Sequence, residues 1–88
     1  MKSYRVIYSG KVQGIGFRYT VKRIADKYNI VGWVRNLIDG SVEVFVQGEE
    51  LTVLSFLQGV ESYFKDNIRD KKKLEEIVAD VFGFQIRY

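Results

Sequence analysis

Arg18 closes a run, Gly10-Lys11-Val12-Gln13-Gly14-Ile15-Gly16-Phe17-Arg18, whose composition suits the grip of an anion. A strand-like segment, Tyr4 to Ser9, leads into the run, and a helix-like segment, Tyr19 to Tyr28, leaves it. Three glycines at such a junction let the backbone reach φ > 0 and lie close to a ligand. The first N–H groups of a helix have no internal partners and sit at the positive end of the helix dipole. Strand, glycine loop and helix start can therefore cradle an anion. Arg18 adds a planar guanidinium that can hold two oxygens of a phosphate or carboxylate at once.

Spacing alone leaves a second reading open. Glycine-rich strand-to-helix turns are common, and an arginine in a first helical turn commonly just sits in water. Lys11 comes too early for a Walker loop, in which Lys and Ser/Thr follow the last glycine. The dinucleotide-binding fingerprint fails on glycine spacing and lacks its βαβ setting.

Composition narrows the chemistry. The 88 residues suffice for one domain, 1–88, of a size that buries about 60% of the surface its unfolded chain exposes. Hydrophobic residues make up 47% of the chain, enough for one compact core. Cysteine is absent, which removes disulfides, thiolate chemistry and Cys/His zinc sites. Histidine is absent too, so the commonest general acid–base is missing. Any catalysis must work without imidazole or thiol.

Met1-Lys2-Ser3 runs straight into a strand-like segment with no signal-peptide pattern. No apolar run approaches the ~20 residues that cross a bilayer. A cytoplasmic location without membrane attachment is expected. The net charge of +3 is uneven, with residues 1–48 at +5 and residues 49–88 at −2. The positive half carries the glycine loop, which favours small anionic ligands. The excess is too modest to argue for nucleic acid.

The elements that position the loop follow from periodicity. Tyr4, Val6 and Tyr8 alternate with Arg5, Ile7 and Ser9, as in a strand with one face inward. Residues 18–29 place Val21, Ile24, Ala25 and Tyr28 at helical spacing, and Asn29 can close that helix in a left-handed conformation. Ile30 to Arg35 reads as a second strand and Ser41 to Gln47 as a third, with Val42, Val44 and Val46 on one face. Leu37-Ile38-Asp39-Gly40 supplies the turn of a hairpin between them. Trp33 reads as a packing residue, with ligand stacking as the alternative, and Asn36 reads as a turn former.

Glu49-Glu50 open a second helix with Val53, Leu57, Val60 and Phe64 as its stripe and Phe56 beside it. Gly59 weakens that helix and can mark its end. Asn67 to Lys73 reads as a solvated charged loop, although Lys71-Lys72-Lys73 could also contact an acidic partner. In the tail, Leu74, Ile77, Val78 and Val81 fit a helix, while Ile77, Ala79 and Val81 alternate as a strand. Phe84, Ile86 and Tyr88 alternate as a strand without ambiguity.

At the glycine run the chain resembles the acylphosphatase family. The family's first signature reads Gly-x-Val-Gln-Gly-Val-x-Phe-Arg, and only Ile15 replaces its second valine. A second signature is similar to Gly32-Trp33-Val34-Arg35-Asn36, followed by Gly40, Val42 and Gly48. Phe84 to Tyr88 resembles the family's C-terminal strand. Residues 59–73 match poorly, the family's glycine–proline stretch after the second helix is missing, and the connection before the last strand looks short. The resemblance makes Leu74-Glu75-Glu76-Ile77 the entry to a fourth strand. The implied fold is α+β, a two-layer sandwich of ferredoxin-like βαββαβ order with an additional C-terminal strand. Its two helices would pack on one face of a mostly antiparallel sheet.

The resemblance implies an acylphosphatase, a hydrolase that cleaves the carboxyl–phosphate bond of acyl phosphates without metal or cofactor. Arg18 matches the arginine that binds the substrate phosphate. The backbone N–H groups of Gln13, Gly14, Ile15, Gly16, Phe17 and Arg18 match the phosphate cradle. Asn36 matches the asparagine that positions the attacking water. The expected partner is a small-molecule acyl phosphate, with phosphate or sulfate as competing anions, bound by a monomer. Two rival readings come from other classes. An RNA-recognition module would need aromatics where the third strand carries Glu43 on its open face. A catalytically inactive anion-binding module in a regulatory role is the stronger rival, and the presence of Arg18 and Asn36 argues against it.

Overall fold

The computed structural model describes residues 1–88. In chain order the elements are β1 (Lys2–Gly10), α1 (Phe17–Ala25), β2 (Val31–Asn36), β3 (Val42–Gly48), α2 (Glu50–Tyr63), β4 (Ile68–Glu76) and β5 (Phe84–Arg87). The strands form one sheet in the order β4-β1-β3-β2-β5. Every pair is antiparallel except β2 with β5. Both helices pack on one face, giving the expected two-layer ferredoxin-like α+β sandwich with a fifth strand.

Period-two alternation builds the covered face. Tyr4, Val6 and Tyr8 of β1 and Val42, Val44 and Val46 of β3 are all buried, and the register sets Val6 opposite Val44. Onto them α1 lays Phe17, Val21 and Ala25, and α2 lays Val53, Phe56, Leu57 and Val60. Each such valine, leucine or phenylalanine side chain contributes about 1.5–3 kcal/mol by leaving water. Phe17 stacks on Phe64 with ring centroids 4.4 Å apart, which ties the start of α1 to the end of α2. Tyr8 is fully buried, and its hydroxyl donates to Glu61 at 2.7 Å. Lys71 of β4 donates to the same carboxylate oxygen at 2.9 Å.

Four local expectations need correction. Helix α1 stops at Ala25 rather than Asn29, and no residue other than glycine has positive φ, so Asn29 is not a left-handed cap. Gly59 does not end α2, which runs to Tyr63. A Cβ at Gly59 would meet Ile24 and Tyr28 at 3.6 and 3.9 Å, so the small residue lies at the contact between helices. The charged stretch 67–73 is strand from Ile68 onward, and Leu74 to Glu76 leave β4 instead of entering it. An edge strand pairs on one side only, and lysines there discourage pairing with other chains. Lys71 reaches Glu61 and Lys73 lies 4.5 Å over the Tyr4 ring, both on the helix side, while Lys72 falls on the other face, so charge occupies both faces and hides the alternation.

Residues 77–83 must carry the chain from one edge of the sheet to the other. Four strand spacings are about 19 Å, and the eight peptide steps from Glu76 to Phe84 reach at most about 26–29 Å. A helix of eight steps would span only about 12 Å, so the crossing cannot be helical. Gln47, 5% exposed, pins it midway: its amide donates to Ala79 O at 3.0 Å and accepts from Ala79 N at 2.8 Å.

No helix covers the other face of the sheet. Trp33 stacks there on Phe45 at 5.8 Å. Glu43, only 2% exposed, accepts from Arg5 at 3.0 Å and from Arg35 at 2.6 Å. Two charge-assisted bonds offset the cost of withdrawing that carboxylate from water. The bond to Glu43 is also the main reason the Arg5 guanidinium holds its proton more tightly than usual. Trp33 thus packs on Phe45, on the face opposite the glycine loop.

Candidate active site

The loop after β1 is a row of free donors. Gly14 and Gly16 have φ of 78° and 77°, left-handed values that glycine adopts without strain. Gly16 caps α1 with no side-chain bond, and the first turn of the helix holds no acid. None of the N–H groups from Gly14 to Tyr19 donates to a backbone carbonyl. A Cβ built on Gly14 or Gly16 would meet nothing within 4 Å, so the space over the loop is open. Such N–H groups at the positive end of a helix bind anions.

Arg18 is half-buried beside this loop. Its Nη1 donates to the carbonyl of Arg87 at 3.2 Å, and the guanidinium lies 4.7 Å from the centre of the Tyr88 ring. One of the five N–H donors is thereby committed, and the rest are available to an anion.

Asn36 is the last residue of β2 and pairs with Val42 across the hairpin. The turn beyond it is braced from three directions. Leu37 N donates to Ser41 O at 2.8 Å. Asp39 accepts from both the backbone N and the hydroxyl of Ser41, bonds that hold its carboxyl below the usual value. The Gln13 amide donates to Leu37 O and Ser41 O, each at 2.8 Å, strapping the turn to the glycine loop.

These pieces meet in one cleft of about 210 Å³, smaller than the ~300–1,000 Å³ of drug-sized ligand sites. Gly14, Gly16, Arg18 and Asn36 share it. Val12 and Phe17, both buried, back the loop, and Tyr19, Ile86 and Tyr88 complete the wall. Of the residues singled out by sequence, Phe17 therefore lines the cleft, while Gln13 and Ile15 do not. Gln13 instead acts through its side chain as the strap. Ile86 and Tyr88 were legible only as alternating strand residues, because nothing local says which edge of the sheet that strand joins. No group of three or more His, Cys, Asp or Glu is gathered where it could hold a metal ion.

Comparison with known proteins agrees with this fold. The acylphosphatase family model matches residues 4–86. An acylphosphatase of Bacillus licheniformis is 41% identical over 85 residues, spanning 97% of this chain and 93% of that one. The crystal structure of acylphosphatase from Bacillus subtilis superposes with a TM-score of 0.89 at 36% identity, covering 100% of both chains. Full-length HypF, in its phosphate- and nucleotide-bound crystal form, contains a similar fold: TM-score 0.82, 29% identity, 99% of this chain and 12% of HypF. The chain belongs to the acylphosphatase family.

Proposed function

We propose that the protein hydrolyses acyl phosphates to a carboxylate and inorganic phosphate in the cleft between the glycine loop and Asn36. The observation that carries this reading is the convergence of unpaired loop N–H groups, Arg18 and Asn36 on one small cleft. The N–H groups and the guanidinium take the non-bridging oxygens of the phosphoryl group. The Asn36 amide oxygen accepts a hydrogen bond from the water and so orients the water's lone pair toward phosphorus. The water oxygen bonds to phosphorus as the bond from phosphorus to the carboxyl oxygen breaks. The departing carboxylate keeps that bond's electrons, and the water protons end on phosphate oxygens or in solvent.

Phosphoryl transfer depends mainly on positioning and on stabilising equatorial oxygen charge. A carboxylate is a good leaving group, so no strong general acid is required. Fixed N–H donors and one guanidinium suffice, in keeping with a chain that has no histidine or cysteine.

Steady-state turnover of benzoyl phosphate, with and without EDTA, tests the proposal. Turnover should be equal in both, and phosphate or sulfate should compete. Loss of activity in EDTA that magnesium restores would overturn the metal-free mechanism. A folded protein that binds phosphate and turns nothing over would instead be the inactive anion-binding module.

A further inference from the structure

Arg87 belongs to both faces of the sheet. On the cleft side its carbonyl accepts the 3.2 Å bond from Arg18. On the opposite face its guanidinium lies 4.8 Å over the Trp33 ring. Arg87 ends β5, a strand of four residues that pairs only with β2. The end of so short an edge strand opens easily, so whatever anchors Arg87 decides where its carbonyl stands.

Trp33 is a well-founded anchor. Its ring stacks on Phe45, which is 7% exposed. A second guanidinium, Arg35, lies 5.2 Å over the same ring and is itself held by buried Glu43. The register sets Arg35 directly beside Arg87, a like-charge pair that repels. No carboxylate forms an ion pair with Arg87. The indole face is therefore the attraction that holds the Arg87 side chain, in addition to the backbone pairing of β5 with β2.

We infer that Trp33, on the sheet face turned away from the cleft, is a positioning residue: it holds Arg87, whose carbonyl in turn orients the Arg18 guanidinium. The inference rests on Arg18 as the phosphate-binding residue. An arginine left unoriented samples many rotamers, and ordering it at the moment of binding weakens affinity.

The test compares Trp33→Leu, Trp33→Phe, Arg87→Ala, the Trp33→Leu/Arg87→Ala pair and Arg18→Ala, all assayed well below their melting temperatures. The readouts are the inhibition constant of inorganic phosphate, kcat and KM for benzoyl phosphate, and the Arg18 Nε–H signal by NMR. Trp33→Leu and Arg87→Ala should each raise the inhibition constant and KM by roughly threefold to fivefold, the scale of a lost exposed cation–π contact, with a smaller change in kcat. The pair should do no more than either alone, because both act through one contact. Trp33→Phe, which keeps a π face, should recover most of the loss. The Arg18 signal should shift in Trp33→Leu and Arg87→Ala alike.

A Trp33→Leu protein that melts lower but keeps the parent's inhibition constant, KM and Arg18 signal would overturn the inference and leave Trp33 a packing residue. If Trp33→Leu does not fold, Arg87→Ala decides, since that side chain is exposed. An unchanged inhibition constant there overturns the inference equally. Arg18→Ala separates the two levels. No effect on phosphate affinity would remove the phosphate-binding reading itself, whereas a large effect with Trp33 and Arg87 silent would remove only the positioning role.

Discussion

Replacing Gln13 by alanine should loosen the turn that carries Asn36 while leaving the phosphate cradle in place. The Gln13 amide donates to Leu37 O and Ser41 O, both at 2.8 Å. Each carbonyl keeps one backbone partner, from Gly40 N and Leu37 N respectively, so neither is left wholly unpaired. The loss is therefore two ordinary hydrogen bonds, about 1–3 kcal/mol. For a domain of this size that lowers Tm by roughly 4–8 °C per kcal/mol. Asn36 would then sample positions beyond its bonded one. A displacement of about 1 Å in a positioning group can cost on the order of 10²-fold in rate. Denaturant unfolding, with kcat and the phosphate inhibition constant measured on the folded variant, tests both halves. Stability and kcat should fall while phosphate affinity stays near the parent's. Gln13→Glu should behave no better, because a carboxylate cannot donate to two carbonyls. A Gln13→Ala protein with the parent's stability and kcat would refute the strap.

Three further outcomes can be checked by unfolding. Burial, then the bond to Glu61, pushes the Tyr8 phenol far above its ordinary value. The unfolded chain ionises that phenol near pH ~10, so stability is full below ~10 and falls by about 1.4 kcal/mol per pH unit above it. Tyr8→Phe should flatten that alkaline fall, and an unchanged slope would show that another group governs it. Asp39 is depressed by its bonds from Ser41, so its contribution is present above ~4 and lost as pH drops. Asp39→Asn should shrink the fall in Tm as pH drops below about 4, and an identical fall would sink that assignment. A Cβ at Gly32 would overlap the Phe45 carbonyl oxygen. Gly32→Ala should therefore separate β2 from β3 and cost on the order of 4 kcal/mol or more, and parent-like melting would contradict the close approach.

Much of the sheet was legible because its faces differ. Tyr4, Val6 and Tyr8 alternate with more exposed neighbours along β1, and Val42, Val44 and Val46 alternate in residue type along β3, although every residue of β3 is buried. The first part of β4, Ile68 to Lys73, reads as a loop because it lies at an edge and carries charge on both faces. Glu43 read as an acid on an open face, yet two arginines bury it, and strand alternation carries no information about such cross-strand pairs. In the cleft, Gly14, Gly16, Arg18 and Asn36 were all named from sequence, three from loop chemistry and Asn36 only from the family signature. The strap from Gln13 and the wall residues Ile86 and Tyr88 depend on contacts more than twenty residues away in sequence. Spacing cannot show such contacts.

The most direct test of the site is the pair Arg18→Ala and Asn36→Ala, compared by kcat and by phosphate inhibition once both are shown to be folded. Arg18 should hold phosphate in ground and transition states, so its loss should weaken inhibition and reduce turnover together. Asn36 should act on the water, so its loss should lower kcat by on the order of 10²-fold with phosphate inhibition nearly kept. A folded Asn36→Ala protein with undiminished kcat would remove Asn36 from the mechanism. A folded Arg18→Ala protein that still bound phosphate and turned over at the parent's rate would contradict the site altogether.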